Sequence, residues 1–107
     1  MTIQFNTDKT INGNEADSAP FIAMIEDELG RFSEHITRIE VHLSDENGKK
    51  DGLHNIRCLV EARLEGKQPI AVTAQADSEE QAVSGAIDKM KTSLETIQGR
   101  ERNHQQH

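Results

Sequence analysis

The segment from Gln68 to Leu94 constrains the fold more than any other part of this sequence. Residues 70–76 alternate between two sets of side chains, which is the period of a half-buried strand. From Asp77 onward the apolar residues recur every three or four positions, which predicts an amphipathic helix. Its apolar stripe consists of Val83, Ala86, Ile87, Met90, Leu94 and Ile97. Asp77 or Ser78 is the predicted N-cap. The chain therefore needs a sheet whose face this helix can cover.

The rest of the chain shows the same two periods. They predict strands over residues 2–6, 36–43 and 53–65, a helix over residues 18–32 and a polar loop over residues 44–52. Ser18 or Ala19 is expected to cap the first helix, with Pro20 in its first turn, where a missing N–H is tolerated. Gly66 and Lys67 predict a tight turn between the last two strands. Three successive strands joined in this way suggest an antiparallel meander.

The element order predicts an α+β fold, β-α-β-β-β-α. Both helices carry one apolar stripe, so the expected packing is a four-stranded sheet with the two helices on one face. The 107 residues suit a single domain, predicted over residues 1–98. Gly99 fits a C-terminal helix stop, and residues 99–107 are expected to form a disordered tail. Because both predicted helices cover the same face of the sheet, the other face is expected to be open to solvent.

Composition limits the possible partners and compartments. A formal net charge of -7 argues against binding nucleic acid by bulk charge, although local basic patches remain possible. The single cysteine excludes an internal disulfide and fits a reducing compartment. No apolar run is long enough to span a bilayer, and the polar N-terminus lacks a signal-peptide pattern. We therefore expect a cytoplasmic protein with no membrane partner.

The residue types that support catalysis or metal binding do not form a recognisable site. Cys58 is predicted on the inward face of a strand, where a buried small hydrophobe is the usual explanation. The spacing of the histidines matches no zinc signature; they are His35, His42, His54, His104 and His107. No phosphate-binding glycine loop is present. The sequence predicts a non-enzymatic protein with no metal, no cofactor and no small-molecule substrate.

Three passages of the sequence carry a likeness to a known family. They are IEDELGRF over residues 25–32, HITRIEVHL over residues 35–43 and AVTAQADSEEQAVSGAIDKM over residues 71–90. They resemble the ribosome hibernation-promoting factor family, also described as ribosome-associated inhibitors or sigma-54 modulation proteins. The resemblance implies a β-α-β-β-β-α fold, in agreement with the periodicity. It also implies binding to the small ribosomal subunit near the mRNA channel and the tRNA sites, which blocks translation in stationary or stressed cells. This chain would be a short-form member.

The resemblance makes two sets of cations candidates for rRNA contact. The first set is Lys89, Lys91, Arg100 and Arg102, late in the second helix, where cations equally suit the negative end of the helix dipole. The second set is Arg38, Arg57 and Arg63 on the predicted open face. For this second set, cross-strand pairing with Glu40 and Glu61 is the favoured explanation.

The sequence departs from the family at outward positions. The family usually has a large residue before the AID triplet, where this chain has Ser84 and Gly85. It carries cations where this chain has Glu28, Thr92, Ser93 and Thr96. Losing cations removes phosphate contacts. The alternative hypothesis is therefore the same fold with a protein partner or a homodimeric role, without ribosome binding.

Overall fold

The computed structural model describes residues 1–8, 15–46 and 55–105 of the chain. The elements are β1 (Thr2–Thr7), α1 (Glu15–Leu29), a 3-10 turn (Gly30–Phe32), β2 (Ile36–Asp45), β3 (Ile56–Leu64), β4 (Ile70–Ala76) and α2 (Glu79–Gln105). The predicted order β-α-β-β-β-α and the α+β fold class are confirmed. The first part of the predicted third strand, from Leu53, and most of the predicted 44–52 loop fall outside the described residues.

The four strands form one sheet in the order β1-β2-β3-β4. β1 runs parallel to β2, with Ile3 opposite Ile39, because α1 carries the chain back between them. β2, β3 and β4 pair antiparallel, which confirms the predicted meander. The turn between β3 and β4 contains Gly66 at a φ of +71°, a conformation that favours glycine. β1 and β4 are consequently the two edge strands.

The core lies between the sheet and the two helices. Alternate residues of β2 and β3 point into it, and so does the predicted stripe of α2. Its fully enclosed members include Ile25, Leu29, Ile39, Val41, Cys58, Val60, Val83, Ala86 and Met90. Phe5 of β1 stacks on Phe21 of α1, with ring centroids 5.6 Å apart, at the β1 side of the core. The inward faces predicted from the two periods are thus the buried ones.

Two local features determine how α2 begins and how closely it packs on β4. The Oγ of Ser78 accepts a hydrogen bond from the Gln81 N–H at 3.1 Å, so Ser78 is the residue that caps the helix through its side chain. Gly85 then faces β4, where a Cβ atom would lie 3.3 Å from the Cβ of Ala74. This close approach leaves little room for a larger side chain at position 85, whereas Ser84 is exposed.

The predicted start of α1 is wrong. The helix begins at Glu15, so neither Ser18 nor Ala19 caps it, and Pro20 is its sixth residue. At that position proline removes one intrahelical hydrogen bond, the one that an N–H would have donated to the carbonyl of Ala16. The sequence has acidic residues at positions 15 and 17, a composition typical of a first helical turn, which favours the earlier start. The helix ends at Leu29, and the 3-10 turn continues to the predicted limit at Phe32.

The predicted end of α2 at Gly99 is also wrong. The helix runs through Gly99 and continues to Gln105. A glycine stops a helix by adopting a positive φ, and Gly66 is the glycine with that conformation among the described residues. Gly99 is therefore a residue within the helix and does not end it. The domain limit at residue 98 stays a prediction.

Candidate nucleic-acid interface

Two ion pairs connect α2 to α1 and to the 3-10 turn that follows α1. Lys91 Nζ lies 2.9 Å from a carboxylate oxygen of Glu28, and the guanidinium of Arg31 lies 2.9 Å from Glu95. The hydrogen bond from Lys91 to Glu28, together with the carboxylate charge, raises the pKa of Lys91 above its ordinary value. Arg31 also lies over the Phe32 ring, 4.6 Å from its centroid. We call these four charged residues the interhelix cluster; it holds two cations and two anions.

The interhelix cluster includes a cation that sequence reasoning missed. Arg31 is the second residue after α1, in the turn Gly30–Phe32, and its position beside α2 depends on how the two helices pack. The available signal was its spacing of three residues from Glu28, which places both on one side of a helical turn. Glu28 occupies a position where the family resemblance leads one to expect a cation. Here it instead neutralises Lys91.

Lys89 differs from Lys91 because its partner is a neutral group. Its Nζ donates a 2.7 Å hydrogen bond to the backbone carbonyl of Thr73 on the edge strand β4. Among the described residues no carboxylate lies within ion-pair distance of Lys89. The side chain is exposed. Its positive charge therefore has no ion-pair partner in the described part of the chain, which makes Lys89 the strongest candidate for an anion contact among the described side chains of α2.

Thr92 and Thr96 add no charge to the outward side of α2. The Thr92 hydroxyl donates to the Asp88 carbonyl at 3.1 Å, and the Thr96 hydroxyl donates to the Thr92 carbonyl at 2.9 Å. Both hydroxyls therefore bond to the helix's own backbone, as mid-helix threonines commonly do. Arg100 and Arg102 lie in the last turns of α2, and their side chains are outside the part of the chain that the structure describes.

The open face of the sheet carries a network of opposite charges. Arg38 lies 3.2 Å from Glu40, and Arg63 lies 3.8 Å from Glu40 and 3.3 Å from Glu61. Arg38 also donates a hydrogen bond to the side chain of Gln4 on β1. The register accounts for the network, because Arg38 is opposite Arg63 and Glu40 is opposite Glu61. The expected cross-strand pairing is confirmed for Arg63 with Glu40, whereas Arg38–Glu40 and Arg63–Glu61 are pairs within β2 and within β3.

Arg57 does not join that network. It lies toward one end of the sheet, 3.9 Å from Glu46, so the expected pairing with Glu40 or Glu61 is wrong for this residue. The reason is register, since Arg57 is opposite Ser44 and Gln75 rather than a glutamate. A depression of about 220 Å³ beside it is lined by donors from Asn6 and His42 but also by Asp8. This end of the open face is mixed in charge rather than cationic.

The described residues supply no constellation for catalysis or metal binding. Cys58 is completely buried, and burial raises the pKa of its thiol to about 12. Within residues 1–8, 15–46 and 55–105 no three or more histidine, cysteine or acidic side chains group as a metal site would require. His54 and His107 fall outside these residues, as does the side chain of His104. No helix in the described ranges is long and apolar enough to cross a membrane.

Comparison with known families and structures gives consistent results. The family described as Sigma 54 modulation protein / S30EA ribosomal protein matches residues 9–102. A ribosomal subunit interface protein from Coxiella burnetii has a similar structure, with a TM-score of 0.68 at 19% identity, covering 92% of this chain and 99% of that chain. The Protein Y N-terminal domain from Thermus thermophilus gives a TM-score of 0.71 at 16% identity, covering 91% and 99%. The comparison with curated proteins gives no match. At these identities the structural likeness establishes the fold.

Proposed function

The chain belongs to the sigma 54 modulation protein / S30EA ribosomal protein family, and on that premise we propose that it binds the small ribosomal subunit through contacts to rRNA phosphates. The family match across residues 9–102 is the observation that carries this proposal. The mechanism is steric: the protein occupies the region of the mRNA channel and the tRNA sites, and translation is inhibited. It requires no catalytic group or cofactor, and it places the protein in the cytoplasm.

The ion pairs of the protein limit the strength of binding but do not prevent it. Exposed ion pairs are screened by water and salt and contribute little to stability, so a phosphate can replace a carboxylate as the partner of a cation. The displaced carboxylate nevertheless stays close to the phosphate and repels it. Cations with nearby acids, such as Lys91, Arg38 and Arg63, are therefore expected to contribute less than an unopposed cation. That reasoning ranks Lys89 first among the described candidates.

Two surfaces compete for the role of rRNA contact. Along α2, Lys89 lies on the side of β4 and Lys91 on the side of α1, and Arg100 and Arg102 lie further along the same helix. The open sheet face has Arg38, Arg57 and Arg63, each within 4 Å of a glutamate. We propose α2 as the main contact because it holds the one described candidate, Lys89, without a carboxylate neighbour. The open-face arginines are secondary contacts.

Sucrose-gradient sedimentation with ribosomes tests the proposal. At about 50 mM salt the protein should travel with the small subunit, and at about 200 mM it should be released, because cation–phosphate binding weakens with salt. Protein that stays at the top of the gradient at the lower salt concentration would refute the proposal.

Variants of Lys89 then test the assignment to α2. Lys89→Gln should weaken binding and lower the slope of log affinity against log salt by about 0.7 to 0.9, the value for one phosphate contact. Lys89→Arg keeps the charge and should retain the slope, so it serves as the matched control. If Lys89→Gln binds like the wild type while Arg38→Gln and Arg63→Gln bind weakly, the contact surface is the open sheet face.

A protein partner without ribosome binding is the second candidate function. The observation that favours it is the neutralisation of the candidate cations by Glu28, Glu40, Glu46 and Glu61, in a chain whose net charge is -7. A pull-down from lysate treated with ribonuclease separates the two functions. A partner retained after this treatment favours the second candidate, whereas loss of ribosomal components on treatment favours the first.

A further inference from the structure

The outer edge of β1 has the properties of a strand that pairs with another strand. In a β-strand the backbone N–H and C=O groups of successive residues point alternately to the two edges. The Asp8 N–H donates to the Leu43 carbonyl of β2 at 3.2 Å, so the even-numbered residues of β1 point toward β2. Ile3, Phe5 and Thr7 therefore direct their backbone groups to the outer edge. Among the described residues no strand pairs with that edge.

The two edges of the sheet differ in how they resist strand addition. At β4 the ammonium group of Lys89 bonds the Thr73 carbonyl, and a lysine placed at an edge hinders the approach of another strand. β1, with the sequence TIQFNT, contains no charged residue, proline or glycine. Charged residues and prolines are the usual devices against edge pairing. The fold thus protects one edge and leaves the other suited to pairing.

We propose that two copies of this chain pair antiparallel through β1, about a two-fold axis at Gln4, and form one continuous eight-stranded sheet. This inference does not rest on the proposed ribosome binding. The occupant is a second copy because β1 is self-complementary in this register. Residues opposite each other in an antiparallel pair point to the same face of the sheet. The odd-numbered residues of β1 face the core, so an odd-numbered residue of one copy must lie opposite an odd-numbered residue of the other. Only such registers keep the cores of both copies on the same side of the sheet.

The register about Gln4 satisfies that condition and brings apolar side chains together. Ile3 lies opposite Phe5 of the second copy, twice by symmetry, and aromatic with β-branched pairs stabilise neighbouring strands. Both residues are only partly buried in one copy, and Phe5 already stacks on Phe21. The pairing therefore extends an existing apolar patch. On the open face Gln4 meets Gln4, and Thr2 meets Asn6.

Charge also favours β1 as the meeting point. Each copy has a net charge of -7, so two copies repel each other wherever acidic surfaces approach. β1 itself carries no charged residue, so direct contact between two β1 strands adds no like-charge pair of its own. Because the contact is one short strand, it is smaller than the roughly 1,200 Å² or more buried by stable interfaces. The dimer should accordingly be weak and dependent on concentration, and added salt should strengthen it by screening like charges. rRNA binding has the opposite salt dependence.

Cysteine cross-linking tests the register directly. Gln4→Cys places two thiols at the two-fold axis in a pair without mutual backbone hydrogen bonds, where Cα atoms lie about 4.5 Å apart, within disulfide range. Gln75→Cys is the matched control, since Gln75 is also an exposed glutamine on the open face, but of the opposite edge strand. The buried native Cys58 will not compete. Under mild oxidation Gln4→Cys should form at least about tenfold more dimer than Gln75→Cys.

The wild-type mass gives a second, independent measurement. Analytical ultracentrifugation of ribosome-free protein should show the mass rising above 12.0 kDa with concentration, and more so at high salt. Gln4→Glu keeps an acceptor for Arg38 in the single chain but sets two carboxylates opposite each other in the dimer, so it should weaken association severalfold. Equal cross-linking of the two cysteine variants would overturn the proposal. So would a wild-type mass of one chain throughout the concentration range.

Discussion

Glu28→Gln should strengthen rRNA binding, although it changes a residue that need not touch RNA. Glu28 holds Lys91 at 2.9 Å and offsets its charge. The amide in the variant can still accept a hydrogen bond but carries no charge. Lys91 then becomes available to a phosphate without a neighbouring carboxylate that repels it. The pKa of Lys91 should fall toward its ordinary value, because the charge and the charged hydrogen bond that raised it are gone.

The magnitude follows from counting one added phosphate contact. Each contact changes the slope of log affinity against log salt by about 0.7 to 0.9. Between about 200 and 50 mM salt the concentration falls fourfold, so the variant should gain about 2.6- to 3.5-fold more affinity than the wild type over this interval. Folding stability should change little, since both side chains are more than a third exposed, at 34% and 40%.

The assay is titration of small subunits with labelled protein at several salt concentrations. Glu26→Gln is the matched control: Glu26 is exposed on the same helix, has no ion pair in the described part of the chain, and its substitution removes the same charge. The control should raise affinity only slightly, through the less negative net charge. If Glu28→Gln and Glu26→Gln have the same salt slope, Lys91 does not contact phosphate and the reasoning about Glu28 is refuted.

Three further predictions concern the fold. Ser78→Ala should destabilise the protein by about 1 kcal/mol in urea unfolding through loss of the cap on α2, whereas Asp77→Ala should have a smaller effect; equal effects would contradict the assignment of the cap. Met90→Ala should cost about 2 to 5 kcal/mol, because Met90 is fully enclosed and its truncation leaves a cavity; a loss below this range would indicate a loosely packed core. Cys58 should resist alkylation near pH 8 until the protein unfolds. Rapid labelling of the native protein would contradict the burial of this thiol. Burial raises the pKa of Cys58 from 9.0 to about 12, so between pH 9 and 12 the unfolded thiol loses its proton while the folded thiol keeps it. The free energy of unfolding should therefore fall as pH rises through this interval.

Local patterns predicted most of the fold because each element is governed by neighbours in the chain. The stripe of α2, the alternation in β3 and the glycine turn at Gly66 all appear in the structure as the sequence indicates. The errors lie at helix ends. A proline usually marks the start of a helix and a glycine its end, but Pro20 and Gly99 of this protein both lie inside helices. Helix ends depend on dipole charges and backbone φ angles, which residue type predicts only on average.

The sequence predicted which cations are candidates for the site, but not which carboxylates form ion pairs with them. Sequence spacing identified Lys89 and Lys91 as neighbours on one helix, but Glu28 is 63 positions away from Lys91. That ion pair exists because α1 and α2 pack side by side on the sheet. Arg31 was missed for the same reason, and Arg57 was paired with the wrong glutamate because strand register was unknown.

The amino-acid sequence by itself determined the order of elements, the inward faces and the acidic balance of the chain, since these follow from periodicity and composition. The tertiary structure decided which cations keep an unopposed charge and which edge of the sheet is protected. Lys91 pairs with Glu28, whereas Lys89 bonds the Thr73 carbonyl of β4. Neither edge strand has a pairing strand among the described residues, but only β4 has a lysine bonded to its backbone. The physical reason is distance: electrostatic and hydrogen-bond partners act over a few ångströms in space, and only folding brings remote segments that close.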